Sequence, residues 1–232
     1  MNTPDDKADD PPGRGEPRSF QRIVTRRVEG RYLVSFPDPY QDDLQRDWPL
    51  LLFLHGAGER GSHLPSVRRH GPLATSAPDD LPFVIVAPQC PDGEWWAADT
   101  VGALVDECRE VYRIDESRIY ATGISMGGTG VWDLAARRPG LLAAIAPVCG
   151  RADPIRARAL RDVPVWAVHG AQDSVIPPEQ SRTMVEAVRA AGGTARLTML
   201  PDAGHDAWSR TYADSDIYDW LLEHRRSPAG PA

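Results

Sequence analysis

The sequence predicts one α/β domain with a mostly parallel central sheet and helices on both faces. Three observations carry that prediction. Short apolar runs recur along the chain, apolar residues at helical spacing lie between them, and one run passes through a glycine-rich turn directly into a helical pattern. Strands buried on both faces read as continuous apolar runs, and their alternation with helices implies parallel connections.

In chain order, Tyr32–Phe36 reads as an edge strand, followed by the turn-rich Pro37-Asp38-Pro39. The buried strands are expected at Pro49–Leu54, Phe83–Ala87, Ile119–Thr122, Ala143–Val148 and Val163–Val168, with a last strand at Ala195–Leu200. Helices are expected at Val101–Tyr112, Thr129–Arg137 and Glu179–Ala191, the last stopped by Gly192-Gly193, and at Asp216–His224. Residues 20–226 are read as the catalytic domain. Residues 1–19 are rich in acidic residues and proline, and are expected to be a disordered tail, as is 227–232.

Composition narrows the function classes. A length of 232 residues suits one large domain, and 41% hydrophobic with 25% charged residues is ordinary for a globular protein. The net charge of −7 argues against a nucleic-acid partner, because phosphate binding relies on a basic surface. Cys90, Cys108 and Cys149 form no C-x-x-C pair, and no apolar stretch is long enough to span a membrane. The expectation is a soluble, cytoplasmic protein acting on a small molecule, with no membrane partner; the oligomeric state is not legible.

The run Ile119–Thr122 leads into Gly123-Ile124-Ser125-Met126-Gly127-Gly128 and then a helical pattern. This is G-x-S-x-G in strand–turn–helix context, the nucleophile elbow of α/β-hydrolases. A serine on so sharp a turn has strained backbone angles, and small neighbours let strand and helix pass each other.

A serine hydroxyl is a weak nucleophile at neutral pH and needs a base and a group that orients the base. His169-Gly170-Ala171-Gln172-Asp173 places Asp173 in a loop beyond the end of one strand, and Pro201-Asp202-Ala203-Gly204-His205 places His205 beyond another. The order Ser125, Asp173, His205 fits the same fold. Asp202 and Asp206 flank His205 but are less suited, since the orienting carboxylate approaches from across the site. Of the other histidines, His55 is read as shaping a turn, His169 as structural, His63 and His70 as loop residues and His224 as a helix-end residue. Oxyanion donors are expected from Met126, which follows the serine, and from Ala57 in Leu54-His55-Gly56-Ala57-Gly58.

Together, LHGAGERG at 54–61, APQCPDGEWW at 87–96, IDESRIYATGISMGG at 114–128, APVCG at 146–150, HGAQDSVIPPEQS at 169–181 and LPDAGHDAW at 200–208 resemble a bacterial α/β-hydrolase family. That family is labelled predicted peptidases or esterases, and is related to phospholipase/carboxylesterase and feruloyl esterase-like enzymes. The resemblance covers about residues 30–222. It implies a serine hydrolase with the Ser125, Asp173, His205 triad and oxyanion donors at Ala57 and Met126; the expected substrates are short-chain or small aryl and acyl carboxylic esters, because the chain leaves no room for a cap that would shelter a long acyl chain. A serine peptidase or acyl transferase, or a non-catalytic binding protein on the same fold, remain the alternatives.

Trp95 and Trp96, in the loop after the strand Phe83–Ala87, and Trp208, three residues after His205, are candidate substrate-binding residues. Arg60, Arg68 and Arg69 are read as a solvated face. No H-e-x-x-h pattern, paired cysteines or nucleotide-binding motif points to a metal or cofactor. The connection Cys149–Asp162 has room for one short helix over Pro154–Leu160 and none for a cap domain.

Overall fold

The computed structural model describes residues 19–226, so the two expected tails lie outside the described residues, apart from Ser19. Residues 19–30 form no helix or strand and are exposed. Seven strands follow: β1 (Arg31–Ser35), β2 (Trp48–Leu54), β3 (Val84–Gln89), β4 (Ile114–Ile124), β5 (Ala144–Val148), β6 (Val165–Gly170) and β7 (Ala195–Leu200). They make one sheet in the order β1-β3-β2-β4-β5-β6-β7. Only β1 runs antiparallel, with Arg31 opposite Gln89 and Ser35 opposite Ile85.

Every residue of β2 and β3 is buried, as strands covered on both faces require. Alternation divides β2 between two cores. Leu50, Leu52 and Leu54 face α1 (Ala98–Val111), α2 (Met126–Arg137) and α3 (Glu179–Ala190), while Leu51 and Phe53 face the side covered by α4 (Trp208–Ala213) and α5 (Asp216–Leu222). The chain leaves β2 toward β3 and then crosses to β4 on the other side of β2. This reversal opens a crevice at the carboxyl ends of the strands, the usual place for ligands in open α/β sheets.

Three sequence expectations are corrected. Strand β4 starts at Ile114, not Ile119: Ile114 pairs with Trp48, and Asp115 binds the Ser117 amide at 3.0 Å and Arg118 at 2.6 Å, so a polar segment that reads as loop stays extended. Helix α2 starts at Met126, before the glycines that suggested a later start. The short helix expected over Pro154–Leu160 is present at those bounds as a 3-10 helix, and no cap domain is present among the described residues. Helix α4, after His205, was not anticipated; Asp206 accepts hydrogen bonds from the Ser209 amide at 3.0 Å and hydroxyl at 2.9 Å, tightening its first turn.

Candidate active site

Ser125 stands between β4 and α2 with φ +52° and ψ −112°, a conformation costly for any residue with a Cβ. The surrounding backbone imposes it: the Ser125 amide donates to the Val148 carbonyl at 2.9 Å, and the Ser125 carbonyl accepts from the Thr129 amide at 3.0 Å. Gly127 shows why the elbow needs glycine. A Cβ there would lie 1.8 Å from the Leu54 carbonyl oxygen, so helix α2 and strand β2 approach this closely only without a side chain. The Ser125 hydroxyl is thereby left partly exposed at the strand ends.

His205 lies in the loop after β7, its Nε2 2.9 Å from Ser125 Oγ and its Nδ1 2.7 Å from Asp173 Oδ2. Gly170 brings the two loops together: a Cβ there would sit 2.0 Å from the Gly204 carbonyl oxygen, next to His205. The Gln172 amide donates to the Ala203 carbonyl at 2.9 Å and fixes the same approach. Asp202 and Asp206 are exposed and do not reach the imidazole.

The Asp173 side chain has no exposed surface. Burial pushes its pKa up, but the hydrogen bonds from His205 and from the Ile176 and Val175 amides outweigh burial, and the carboxyl ends below its ordinary value. Its Oδ1 accepts the Val175 and Ile176 amides at 2.8 and 2.9 Å, while Oδ2 faces His205 and, at 3.1 Å, His169 Nε2. Behind it lies the buried Cys149, whose thiol is pushed up to about 12, mainly by burial, and is therefore a poor nucleophile.

The amides of Ala57 and Met126 have no acceptor among the described residues; Met126 opens α2, and Ala57 opens a 3-10 turn after Gly56. The loop carrying Ala57 is braced by buried His55. Its Nδ1 donates to the Gly56 carbonyl at 2.6 Å and its Nε2 accepts the Cys90 amide at 2.9 Å, a pairing that only the neutral ring can make. Burial lowers its pKa and favours that state, against the smaller opposing effect of the Gly56 carbonyl.

The three tryptophans fall in different places. Trp96 donates its indole N–H to the His55 carbonyl at 3.0 Å and so helps to hold the Ala57 loop. Trp95 is 61% exposed; with Trp96 and Met126 it lines a groove of about 410 Å³ beside α2. Trp208 packs edge-on to the His205 ring at 5.1 Å and against His70 at 5.6 Å. Of the arginines read as a solvated face, Arg68 and Arg69 are exposed and Arg60 is half-buried. Arg60 bonds the Ala57 and Glu94 carbonyls at 3.1 and 3.2 Å, and Arg69 reaches back to the buried Glu59 at 3.5 Å. The roles of His70, Glu59 and Arg60 were not legible, because their contacts cross loops with no fixed spacing.

The sheet order and the serine on its strand–helix turn define an α/β-hydrolase fold. Residues 83–219 match the model of the Dienelactone hydrolase family, and the chain belongs to that family. Among curated proteins it is 33% identical over 139 residues to a bifunctional acetylxylan esterase/xylanase of Neocallimastix patriciarum, a match covering 57% of this chain and 20% of that one. Among solved structures it is similar to a thermostable esterase, with 31% identity and a TM-score of 0.77, covering 84% of this chain and 59% of that one. A ferulic acid esterase shares the fold at 20% identity and a TM-score of 0.62, covering 82% of this chain and 89% of that one. The chain thus spans less than half of the curated relative and under two thirds of the thermostable esterase. No helix among the described residues is long and apolar enough to cross a membrane.

Proposed function

We propose that the protein is a serine esterase that cleaves short-chain or small aryl and acyl carboxylic esters through an acyl-enzyme. The observation that carries this reading is His205, 2.9 Å from Ser125 Oγ on one side and 2.7 Å from Asp173 on the other.

In the first half-reaction Ser125 Oγ attacks the ester carbonyl carbon while its proton passes to His205 Nε2. Asp173 holds the proton of His205 on Nδ1 and stabilises the imidazolium. The oxyanion is received by the Ala57 and Met126 amides, already placed and without competing acceptors. Collapse expels the alcohol, which takes the proton from Nε2. Water then attacks the acyl-enzyme, gives its proton to His205, and releases the acid as Ser125 recovers its own.

Family membership and the likeness to esterases support ester substrates. The three free, buried cysteines suit a reducing compartment, and we place the protein in the cytoplasm on that ground. The test is hydrolysis of a panel of esters, thioesters and peptides by the purified protein. Highest kcat/KM on small esters is the expected result; highest kcat/KM on peptides would transfer the reading to a peptidase.

A further inference from the structure

The Asp173 carboxylate is held by a second histidine. His169, the fifth residue of β6, has no exposed side-chain surface and makes three polar contacts. Its Nε2 lies 3.1 Å from Asp173 Oδ2 and 2.9 Å from the Ile176 carbonyl oxygen, and its Nδ1 lies 2.7 Å from Ser181 Oγ. An ionised carboxylate and a carbonyl only accept hydrogen bonds, so Nε2 carries the proton and shares it between them. With the proton on Nε2, the buried Ser181 hydroxyl on α3 donates to Nδ1. The chain of contacts therefore runs from the first turn of α3 through a ring of fixed tautomer to the oxygen that faces His205.

From this geometry we infer that His169 is a positioning residue for the reaction: its Nε2–H fixes the rotation of the Asp173 carboxylate, and Ser181 fixes the tautomer that makes this donation possible. The inference rests on the triad reading above. Two backbone amides hold Oδ1, and His169 Nε2, 3.1 Å from Oδ2, holds that oxygen from the protein side when His205 moves with its proton. Substrate touches neither His169 nor Ser181, both of which are buried.

The test compares His169→Met, which keeps bulk and loses the donor, with His169→Gln, whose amide nitrogen stands near the position of Nε2. Ser181→Ala and Asp173→Asn complete the set, each assayed on p-nitrophenyl acetate with thermal unfolding in parallel. Loss of a hydrogen bond to a charged group predicts a fall in kcat of about ten- to a hundredfold for His169→Met, with KM unchanged. His169→Gln recovers most of the loss, and Ser181→Ala falls in the same direction by less. Combined with Asp173→Asn, His169→Met causes no further loss of kcat, since it acts only through that carboxylate. Wild-type kcat in folded His169→Met, or full additivity with Asp173→Asn, would overturn the inference. If His169→Met fails to fold, Ser181→Ala decides: unchanged kcat counts against it. Activity retained in Ser125→Ala would instead overturn the triad reading itself.

Discussion

Leu54 and Gly127 meet backbone to backbone: a Cβ on Gly127 would stand 1.8 Å from the Leu54 carbonyl oxygen. This contact sets helix α2 against strand β2 and, with it, the relative placement of the Met126 amide and the loop that carries Ala57.

Gly127→Ala is therefore expected to force strand and helix apart. Overpacking of this kind costs about 1–3 kcal/mol, and the adjacent elbow should lose most of its activity. Gly58 is the control, since nothing lies within 4 Å of a Cβ built there. Thermal unfolding should show a clear drop for Gly127→Ala and none for Gly58→Ala; equal midpoints would refute the packing argument.

The three acids near His205 should separate cleanly. Asp173→Asn is expected to lower kcat by about four orders of magnitude, because the amide favours the wrong tautomer. Asp202→Asn and Asp206→Asn should retain kcat near wild type, since both acids are exposed and Asp206 is engaged with Ser209. Steady-state kinetics on one soluble ester decides; a comparable loss at Asp202 or Asp206 would reassign the acid.

Asp173 also links stability to pH. Its pKa is lower in the folded protein, so the unfolded chain takes up the proton first as pH falls. Its stabilising contribution is complete above the unfolded carboxylate value of about 3.9 and is lost as pH drops through the folded value. Asp106, held down by the Arg138 guanidinium, acts in the same direction. Urea midpoints should fall as the pH drops below about 5, less steeply in Asp173→Asn than in wild type. Parallel slopes would show that Asp173 does not contribute.

The connection from β5 to β6 holds only a 3-10 helix, so no inserted cap offers an apolar wall along which a long acyl chain gains binding energy with each methylene. The expected order of kcat/KM is p-nitrophenyl acetate or butyrate above palmitate, with no activation at a lipid–water interface. A preference for palmitate, or a jump in rate above its solubility limit, would contradict this.

The sequence was most legible where one physical signal dominated. Strands β2, β3, β5 and β6 are continuous apolar runs, and β7 was found at its observed bounds. The first half of β4 was hidden because Asp115 and Arg118 pair with each other within an extended segment, which composition alone reads as loop. The start of α2 was hidden because Gly127 and Gly128 are poor helix formers retained for contact with neighbouring backbone. Ser125, Asp173 and His205 could be named from chain order and from their positions beyond strand ends. The second bond to Asp173 was less accessible: His169 stands four residues before it, but only the bend of the loop turns Nε2 onto the carboxylate. Trp208 against His205 and Arg60 on the Ala57 carbonyl depend likewise on how separate loops meet.

The central claim is that Ser125 is the nucleophile. Labelling with a fluorophosphonate, followed by mass spectrometry of the digested protein, tests it most directly. The account predicts one adduct, on Ser125, that abolishes esterase activity, with neither labelling nor turnover in a folded Ser125→Ala variant. An adduct on another residue, or turnover that survives Ser125→Ala, would contradict it.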